Sequence, residues 1–253
     1  MSDGFQIVIP ARFASSRFPG KALAELAGKP MLQHVYERAC DSSAKGIIIA
    51  TDDARIESAA HQFAADVELT ADDHVSGTDR VAEVARKRAW PGDTIVVNVQ
   101  GDAPLLRGQS INQVADLLRA HSSAAIATLA APIDDERDLQ DPHTVKVVID
   151  AEGRALYFSR AAIPAHGHEV DLGGQPLGWR HIGLYAYRVE ALQRMTAERP
   201  CMLERREKLE QLRALWLGME IRVGEVKEAH GPDVDTPEDL MAARKFIERS
   251  GGG

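Results

Sequence analysis

The segment from residue 9 to residue 23, IPARFASSRFPGKAL, combines positive charge with small side chains. Its cationic and small residues are Arg12, Arg17, Lys21, Ser15, Ser16 and Gly20. Cationic side chains, together with backbone N–H groups that approach a ligand closely, are what a triphosphate needs. A solvated basic loop is the alternative interpretation. The P-loop pattern GxxxxGK[ST] and the dinucleotide pattern GxGxxG are both absent from the sequence, so the segment predicts a triphosphate loop of another type.

Two carboxylates, Asp102 and Asp235, are candidates for holding a divalent cation. Asp102 follows a glycine at the end of the apolar run TIVVNVQGD, and Asp235 lies in DVDTPEDL. Carboxylate oxygens are hard ligands that suit Mg²⁺, which also keeps phosphate partners. The residues alone leave two other interpretations open: Asp102 as a turn residue, and Asp235 as the cap of a helix that begins at Pro237. If the two side chains meet across a cleft, they form a metal site.

The elements that must position these residues alternate between strand and helix. Buried strands are predicted at 5–10, 45–51 and 94–102 from their β-branched, apolar composition. Helical periodicity is found at 31–40 (after Pro30), 53–64, 78–89 and 109–121. This alternation predicts a doubly wound α/β fold with a mostly parallel sheet. Because ligands bind at the carboxyl ends of parallel strands, the basic loop and Asp102 should lie at one edge of the sheet.

The sequence pattern changes at about residue 124, where the alternation of strands and helices ends. Strand-like segments follow one another with turns between them: AIATLAAPI, VKVVID, RALYFS and WRHIGLYAYR. They predict an inserted β-rich lobe at about 124–200. A helix at 203–218, a strand at 220–226 and a last helix beginning at Pro237 complete the chain, which we interpret as one domain over residues 1–253.

Composition excludes several classes of protein. The net charge of -8 disfavours a general nucleic-acid binder, which needs a basic surface. No apolar run is long enough to span a membrane, and the first residues lack the features of a signal peptide, so we expect a cytoplasmic protein that does not interact with membranes. The two cysteines are far apart in the sequence and predict neither a disulfide framework nor a zinc finger.

Several motifs together resemble those of one enzyme family. They occur in this order: PARFASSRFPGKAL, ATDD, DDHVSGTDR, VNVQGD, LYFSRAAIP, RHIGLYAYR, LEQLRALW and VDTPEDL. The pattern resembles the CMP-Kdo synthetases (3-deoxy-manno-octulosonate cytidylyltransferases), whose fold is of the nucleotide-diphospho-sugar transferase type. The first loop and the metal aspartate are shared with other sugar nucleotidyltransferases. The motifs RHIGLYAYR, LEQLR and VDTPEDL are much more specific to this family.

The resemblance implies an activity and a set of roles. The activity is Mg²⁺-dependent transfer of CMP from CTP to the anomeric hydroxyl of Kdo, a 3-deoxy-2-keto sugar acid, with release of pyrophosphate, for lipopolysaccharide synthesis. A homodimer formed through the β-rich lobe is also implied. The implied catalytic residues are Arg17, Lys21, Asp102 and Asp235, of which Asp102 and Asp235 would bind Mg²⁺. The implied nucleotide-binding residues are Pro10, Ala11, Arg12, Ser15, Asp73, His74, Ser76 and Gly77. The implied sugar-binding residues are Arg80, Gln100, His181, Tyr185, Glu210 and Gln211.

Other interpretations of the sugar set stay open from the residues alone. His181 would serve equally as a hydrogen-bonded histidine in a half-buried strand, and Arg80 as a solvated helix residue. Glu210 and Gln211 fall off the apolar stripe of the predicted helix, where a solvated face is the default.

One position departs from the family pattern. Where the family usually reads QGDEP, this chain has Ala103 in place of the glutamate. The substitution leaves open a modified octulosonate as acceptor and a nucleotide-binding homologue that has lost turnover. Other enzymes that remain as alternatives are a cytidylyltransferase for another 2-keto sugar acid, such as a nonulosonate, and a hexose-1-phosphate nucleotidyltransferase.

Overall fold

The computed structural model describes residues 4–14, 17–165, 173–227, 231 and 233–250 of the chain. In this part of the chain the strands are β1 (Phe5–Pro10), β2 (Glu25–Leu26), β3 (Lys29–Pro30), β4 (Gly46–Thr51), β5 (Asp66–Leu69), β6 (Ile95–Asn98), β7 (Ile126–Ile133), β8 (Lys146–Ile149), β9 (Ala155–Ser159), β10 (Gly178–Arg188) and β11 (Ile221–Glu225). The helices there are α1 (Met31–Cys40), α2 (Ala54–Gln62), α3 (Gly77–Lys87), α4 (Gly108–Ala120), α5 (Glu136–Gln140), α6 (Val189–Ala197), α7 (Met202–Glu207), α8 (Gln211–Trp216) and α9 (Pro237–Ser250). A short 3₁₀ turn covers Lys21–Leu23. No helix among the described residues has the length and apolar character needed to cross a membrane.

The main sheet has the strand order β11-β7-β10-β6-β1-β4-β5. The pairs β6-β1, β1-β4, β4-β5 and β7-β11 are parallel, and β10 is antiparallel to both of its neighbours, β6 and β7. The central strand β1 is buried on both faces, because Ile7 and Ile9 pack into one apolar cluster and Val8 into another. The prediction of a doubly wound, mostly parallel α/β fold is therefore confirmed.

The β-rich insertion is smaller than the predicted lobe at about 124–200. Among the described residues of this segment, the β8-β9 hairpin alone leaves the path of the main sheet, and it joins that sheet through the pairing of Lys146 with Arg180 on β10. The strands β7 and β10, which were assigned to the lobe, are members of the main sheet. The Lys146 side chain is fully buried, and its Nζ donates to the carbonyl oxygens of Asp141, Thr144 and Arg160 at 2.8, 2.6 and 2.6 Å. These bonds fasten the hairpin to the flanking loops.

Three local expectations differ from the structure. The edge strand β5 was missed because its sequence, DVEL, is short and half-exposed and lacks an apolar run. The third predicted strand, 94–102, ends as β6 at Asn98, and a turn carries the chain on to Asp102. The single helix predicted at 203–218 is two helices, α7 and α8, because Lys208 adopts left-handed backbone angles (φ 57°, ψ 42°) that end α7.

Candidate active site

A cleft of about 320 Å³, called here the strand-end cleft, opens at the carboxyl ends of β1 and β6. Its lining consists of Pro10, Ala11, Arg12, Arg17, Lys21, Ala22, His74, Ser76, Gly77, Arg80, Gln100, Gly101, Asp102 and Asp235. Most of the predicted catalytic and nucleotide-binding residues belong to this set. Ser15 lies outside the described residues. The position of the cleft matches the expectation for an open parallel sheet.

Two glycines allow three segments to converge on the end of β1. A Cβ atom on Gly101 would lie 2.8 Å from the carbonyl oxygen of Pro10, and one on Gly77 would lie 3.2 Å from the Pro10 ring. The turn after β6 therefore approaches Pro10 more closely than a residue with a side chain could, and the first residue of α3 would make a tight contact with the Pro10 ring if it had one. Ser76 caps α3 in a reciprocal capping box with Asp79, which fixes where the helix begins beside the cleft.

Lys21 lies between the two candidate metal ligands. Its Nζ donates to Asp102 Oδ2 at 2.7 Å, to Asp235 Oδ1 at 2.9 Å and to the carbonyl oxygen of Val234 at 3.1 Å. Burial lowers the pKa of Lys21, but the two carboxylates outweigh burial and raise it above the ordinary value. Arg17 donates to the other oxygen of Asp235 at 2.8 Å. The structure thus brings together the four residues that were predicted to be catalytic.

The cap of α9 is Thr236 rather than Asp235. The hydroxyl of Thr236 accepts from the backbone N–H of Asp239 at 3.2 Å, and the Asp239 carboxylate accepts from the N–H groups of Asp235 and Thr236. The interpretation of Asp235 as a helix cap is therefore wrong. The Asp235 carboxylate forms ion pairs with Arg17 and Lys21 instead.

A third carboxylate, Asp233, stands close to the pair. Burial, together with the negative charges of Asp102 and Asp235, raises the pKa of Asp233 to about 7 against the opposing effects of Arg180 and Lys21. Sequence reasoning missed this residue, although DVDTPEDL contains it. The available signal was the spacing, because residues two apart in an extended segment point the same way.

The basic loop is held from outside the cleft by α2. The guanidinium of Arg55 lies 3.3 Å from the ring centroid of Phe13, a cation–π contact, and Arg55 is paired at 2.6 Å with Asp53, whose side chain caps α2. On the loop side, the Gly20 N–H donates to the Phe13 carbonyl at 2.8 Å. Phe13 therefore anchors the loop that carries Arg12 and Arg17.

The predicted sugar residues are divided between different places. Gln100 and His181 line a side cavity of about 120 Å³, which shares Gln100 with the strand-end cleft. The other residues of the side cavity are Ala103, Leu106, Arg180, Ile182, Gly183, Leu184, Gly231 and Asp233. Among them, Arg180 is an exposed residue that also lines this cavity. The shared glutamine makes the side cavity a continuation of the cleft.

His181 and Tyr185 form part of an aromatic row on β10. The His181 ring lies 5.1 Å from Phe158 and 5.2 Å from Tyr185, centroid to centroid, and its Nε2 lies 3.0 Å from the Thr128 hydroxyl. Burial lowers the pKa of His181 to about 3, so the ring is neutral at pH 7. Tyr185 is 9% exposed, and its hydroxyl has no hydrogen-bond partner among the described residues. Both interpretations of His181 therefore hold, because the residue is hydrogen-bonded within a strand and also lines the side cavity.

Glu210 is not on a solvated helix face, contrary to the default expectation. It stands at the start of α8, where its carboxylate accepts from the hydroxyls of Ser76 at 2.9 Å and Thr78 at 2.7 Å. Burial raises the pKa of Glu210 despite these donors. Gln211, the next residue, is buried at 8% exposure. The break between α7 and α8 explains why the expectation of a solvated face is wrong for both Glu210 and Gln211, because it turns these residues inward.

Arg80 is not a solvated helix residue either. It is 3% exposed, and its guanidinium donates to the Thr70 hydroxyl, to the Ala71 carbonyl at 3.3 Å and to Asp52 at 3.2 Å. These partners follow β4 and β5, so Arg80 joins α3 to the ends of two strands. It still contributes to the lining of the strand-end cleft.

Arg80→Ala should lower the free energy of unfolding by about 2 to 4 kcal/mol, because Asp52 and Thr70 would lose their buried partner. Urea denaturation followed by circular dichroism measures this loss. The matched control is Arg86→Ala on the same helix, where an exposed guanidinium donates to Gln193 at 2.9 Å and a change within about 0.5 kcal/mol is expected. Equal stability of the two variants would contradict the structural role of Arg80.

Asp73 is the predicted nucleotide residue that the structure leaves outside the strand-end cleft. It is exposed and borders a separate surface groove with Val75, Arg86 and Gln193. Its neighbour His74 lines both that groove and the cleft, and His74 Nε2 is hydrogen-bonded to Glu83 of α3. Glu83 was also missed, because it falls on a helix turn with no motif around it.

Comparison with known proteins identifies relatives over nearly the whole chain. The family model described as cytidylyltransferase matches residues 6–221. A 3-deoxy-manno-octulosonate cytidylyltransferase of Pseudomonas syringae pv. syringae (strain B728a) is 52% identical over 254 residues, covering 98% of this chain and 100% of that protein. A protein of the same name from Halorhodospira halophila (strain DSM 244 / SL1) is 49% identical over 252 residues, covering 98% of both chains.

A solved structure is also similar. It is described as CMP:2-keto-3-deoxy-manno-octonic acid synthetase complexed with CTP, and it superposes with a TM-score of 0.89 at 40% sequence identity, covering 97% of this chain and 99% of the other. The resemblance inferred from the motifs is therefore confirmed. By sequence and by fold, the protein belongs to the cytidylyltransferase family and, within it, to the 3-deoxy-manno-octulosonate cytidylyltransferases.

Proposed function

We propose that this protein transfers CMP from CTP to the anomeric hydroxyl of Kdo and releases pyrophosphate. The relatives named above carry this activity in their names, and the similar structure is described as a complex with CTP. The observation that carries the proposal is the placement of Lys21 between Asp102 and Asp235 at the strand ends, beside the basic loop. Those charges are what an attack on the α-phosphorus requires.

Triphosphate binding is assigned to the cations of the strand-end cleft. Arg12, Arg17 and Lys21 supply positive charge to the lining of that cleft. As the anomeric oxygen bonds to the α-phosphorus, the bond to the bridging oxygen breaks and negative charge moves onto pyrophosphate. Lys21 and Arg17 stabilise that charge without large reorganisation, because their partners already hold them in place.

The residues of the cleft fit Mg²⁺. Asp102 and Asp235 both reach Lys21 Nζ, at 2.7 and 2.9 Å, so their hard oxygen atoms lie near one point of the cleft. Among the described residues no group of three or more His, Cys, Asp or Glu side chains forms a complete metal cage. Mg²⁺ commonly takes one or two carboxylates and completes its shell with phosphate and water. When bound, it would neutralise phosphate charge and lower the pKa of the attacking hydroxyl.

The acceptor is placed in the side cavity. Gln100 connects that cavity to the strand-end cleft, so a sugar acid held there has its reacting end next to the phosphates. Arg180 offers a cation for the carboxylate, and His181 offers a neutral ring nitrogen. Neither of the two cavities is lined by Tyr185, Glu210 or Gln211. In the proposal these residues support the side chains around the acceptor and do not contact it directly.

Release of pyrophosphate from CTP, Mg²⁺ and Kdo tests the proposal. We expect release that needs all three components, together with formation of CMP-Kdo detected by mass spectrometry. Omission of Kdo is the control for simple hydrolysis of CTP. A protein that binds CTP and releases no pyrophosphate with Kdo or any other acceptor would be the turnover-deficient homologue, and the proposal would fail.

A modified acceptor is the second candidate, and Ala103 favours it. The Ala103 side chain lines the side cavity, where the usual family glutamate would add bulk and negative charge. Kinetics with Kdo, with octulosonates altered on the tail and with a nonulosonate compare the alternatives directly. Higher kcat/KM for a modified acid than for Kdo would assign the acceptor to that class, and turnover of a hexose-1-phosphate would reassign the reaction.

The assembly and location of the protein follow from the same proposal. A homodimer formed through the β8-β9 hairpin would cover Leu156, which is 58% exposed on the outer strand β9. Light scattering on Leu156→Asp and on the unchanged protein tests that interface. CTP as the donor places the reaction in the cytoplasm, where CMP-Kdo would serve lipopolysaccharide synthesis.

A further inference from the structure

His74 enters the strand-end cleft on the side opposite to the candidate metal ligands. Asp102 follows β6 and His74 follows β5, and the sheet order β6-β1-β4-β5 sets β1 and β4 between them. In the proposed function, the triphosphate lies with Lys21, Asp102 and Asp235. The nucleoside of CTP then extends past the end of β1 toward His74.

The His74 ring is held by one residue of α3. Glu83 Oε2 and His74 Nε2 form a short hydrogen bond, and the same oxygen accepts another, at 3.0 Å, from the backbone N–H of Ala71. The other carboxylate oxygen of Glu83 is 3.0 Å from Lys87 Nζ. The side chains of His74 and Glu83 are each only 13% exposed, so both are held between the cleft and the helix.

Glu83 is ionised at neutral pH. Burial raises its pKa, but the Ala71 N–H, Lys87 and His74 outweigh burial and bring the pKa to about 2. An ionised carboxylate has no proton to donate, so the hydrogen bond to His74 places a proton on Nε2. In the neutral ring, Nδ1 is then the acceptor nitrogen.

We infer that Glu83 is a positioning residue that holds His74 in the Nε2-protonated form, so that the ring accepts a hydrogen bond from a donor group of the CTP nucleoside. This inference rests on the proposed function, because it takes CTP as the ligand. Two donors have the required chemistry: the 4-amino group of cytosine and a ribose hydroxyl. A site that hydrogen-bonds such a group rejects an analogue that lacks it, since the ring nitrogen is then left unpaired.

Steady-state kinetics with a mutant cycle test the inference. Glu83→Gln keeps the volume of the side chain, but its amide can donate to Nε2. The His74 ring is then no longer restricted to the Nε2-protonated tautomer. We expect KM for CTP to rise about 10-fold with kcat nearly unchanged, and His74→Ala to give a similar rise. The double variant should be no worse than His74→Ala alone, because Glu83 acts through His74. Additive effects of the two changes would overturn the inference.

The control is Lys87→Met, which removes another partner of Glu83 while leaving His74 in place, and an unchanged KM for CTP is expected. Nucleotide analogues separate the two donors. If the cytosine amino group is the partner, discrimination against UTP falls in Glu83→Gln and His74→Ala. If a ribose hydroxyl is the partner, discrimination against 2′-deoxy- or 3′-deoxy-CTP falls instead. Discrimination that stays constant for all three analogues overturns the inference.

Nitrogen-15 NMR of the His74 ring gives a readout that does not need turnover. The unchanged protein should show the Nε2-protonated tautomer, and Glu83→Gln should show a mixture, with the His74 signals assigned by their loss in His74→Ala. If the protein lacks turnover with CTP and Kdo but shows this change of tautomer, the proposed function is contradicted and the role of Glu83 is supported. Normal turnover with an unaltered tautomer in Glu83→Gln would fail the inference alone.

Discussion

Asp102→Asn is expected to abolish turnover while leaving the fold intact. Asparagine keeps the volume of the side chain but removes a charge that faces Lys21 at 2.7 Å and is assigned to Mg²⁺. A fall in kcat of at least about 1,000-fold, or about 4 kcal/mol in the barrier, is the expected scale for losing such a charge. Asp235→Asn should behave likewise, since Asp235 contacts the same ammonium at 2.9 Å.

Stability and metal dependence distinguish this loss from unfolding. The Asp102 side chain is 25% exposed, so its ion pair should contribute no more than about 1 kcal/mol to the free energy of unfolding, which urea denaturation measures. Asp116→Asn is the matched control, because Asp116 is 64% exposed on α4 and faces only Arg119. Unchanged rates in Asp102→Asn or Asp235→Asn at saturating Mg²⁺ would remove that residue from the metal site.

The parts of the fold that the sequence predicts are those with a strong local pattern. The strands β1, β4 and β6 are mostly apolar, and α2, α3 and α9 begin at or beside the residues that the pattern indicated. The edge strand β5 has no such pattern. The break at Lys208 was unpredictable, because a left-handed lysine is imposed by packing rather than by its own preference.

The candidate site divides in the same way. Lys21, Asp102 and Asp235 were found because each follows a strand or precedes a helix in a recognisable motif, and the sheet then brings them to one edge. Arg80 and Glu210 were placed on solvated faces by the residues alone, because helical periodicity shows which side is apolar but not which polar groups another segment will cover. Glu83 and Asp233 acquire their surroundings only through tertiary contacts.

Lys21→Ala should lower kcat about 100- to 1,000-fold and raise KM for CTP much less. The ammonium is 14% exposed and fixed by three acceptors, so it is already aligned when negative charge develops on the leaving pyrophosphate. In the proposed function, binding of CTP also draws on Arg12 and Arg17, which line the same cleft and remain in the variant. Initial-rate measurements over a range of CTP concentrations separate the two constants.

The position of Lys21 between two carboxylates adds an effect on the metal. Without the ammonium, Asp102 loses its ion-pair partner while Asp235 keeps Arg17, so the concentration of Mg²⁺ that gives half-maximal rate should fall even as kcat falls. Lys21→Arg restores the charge on a longer, planar group and should recover only part of kcat, because its geometry does not match the three acceptors. An increase in KM for CTP with unchanged kcat would make Lys21 a ground-state binding residue, and the charge stabilisation assigned to it would then belong to other groups in the cleft.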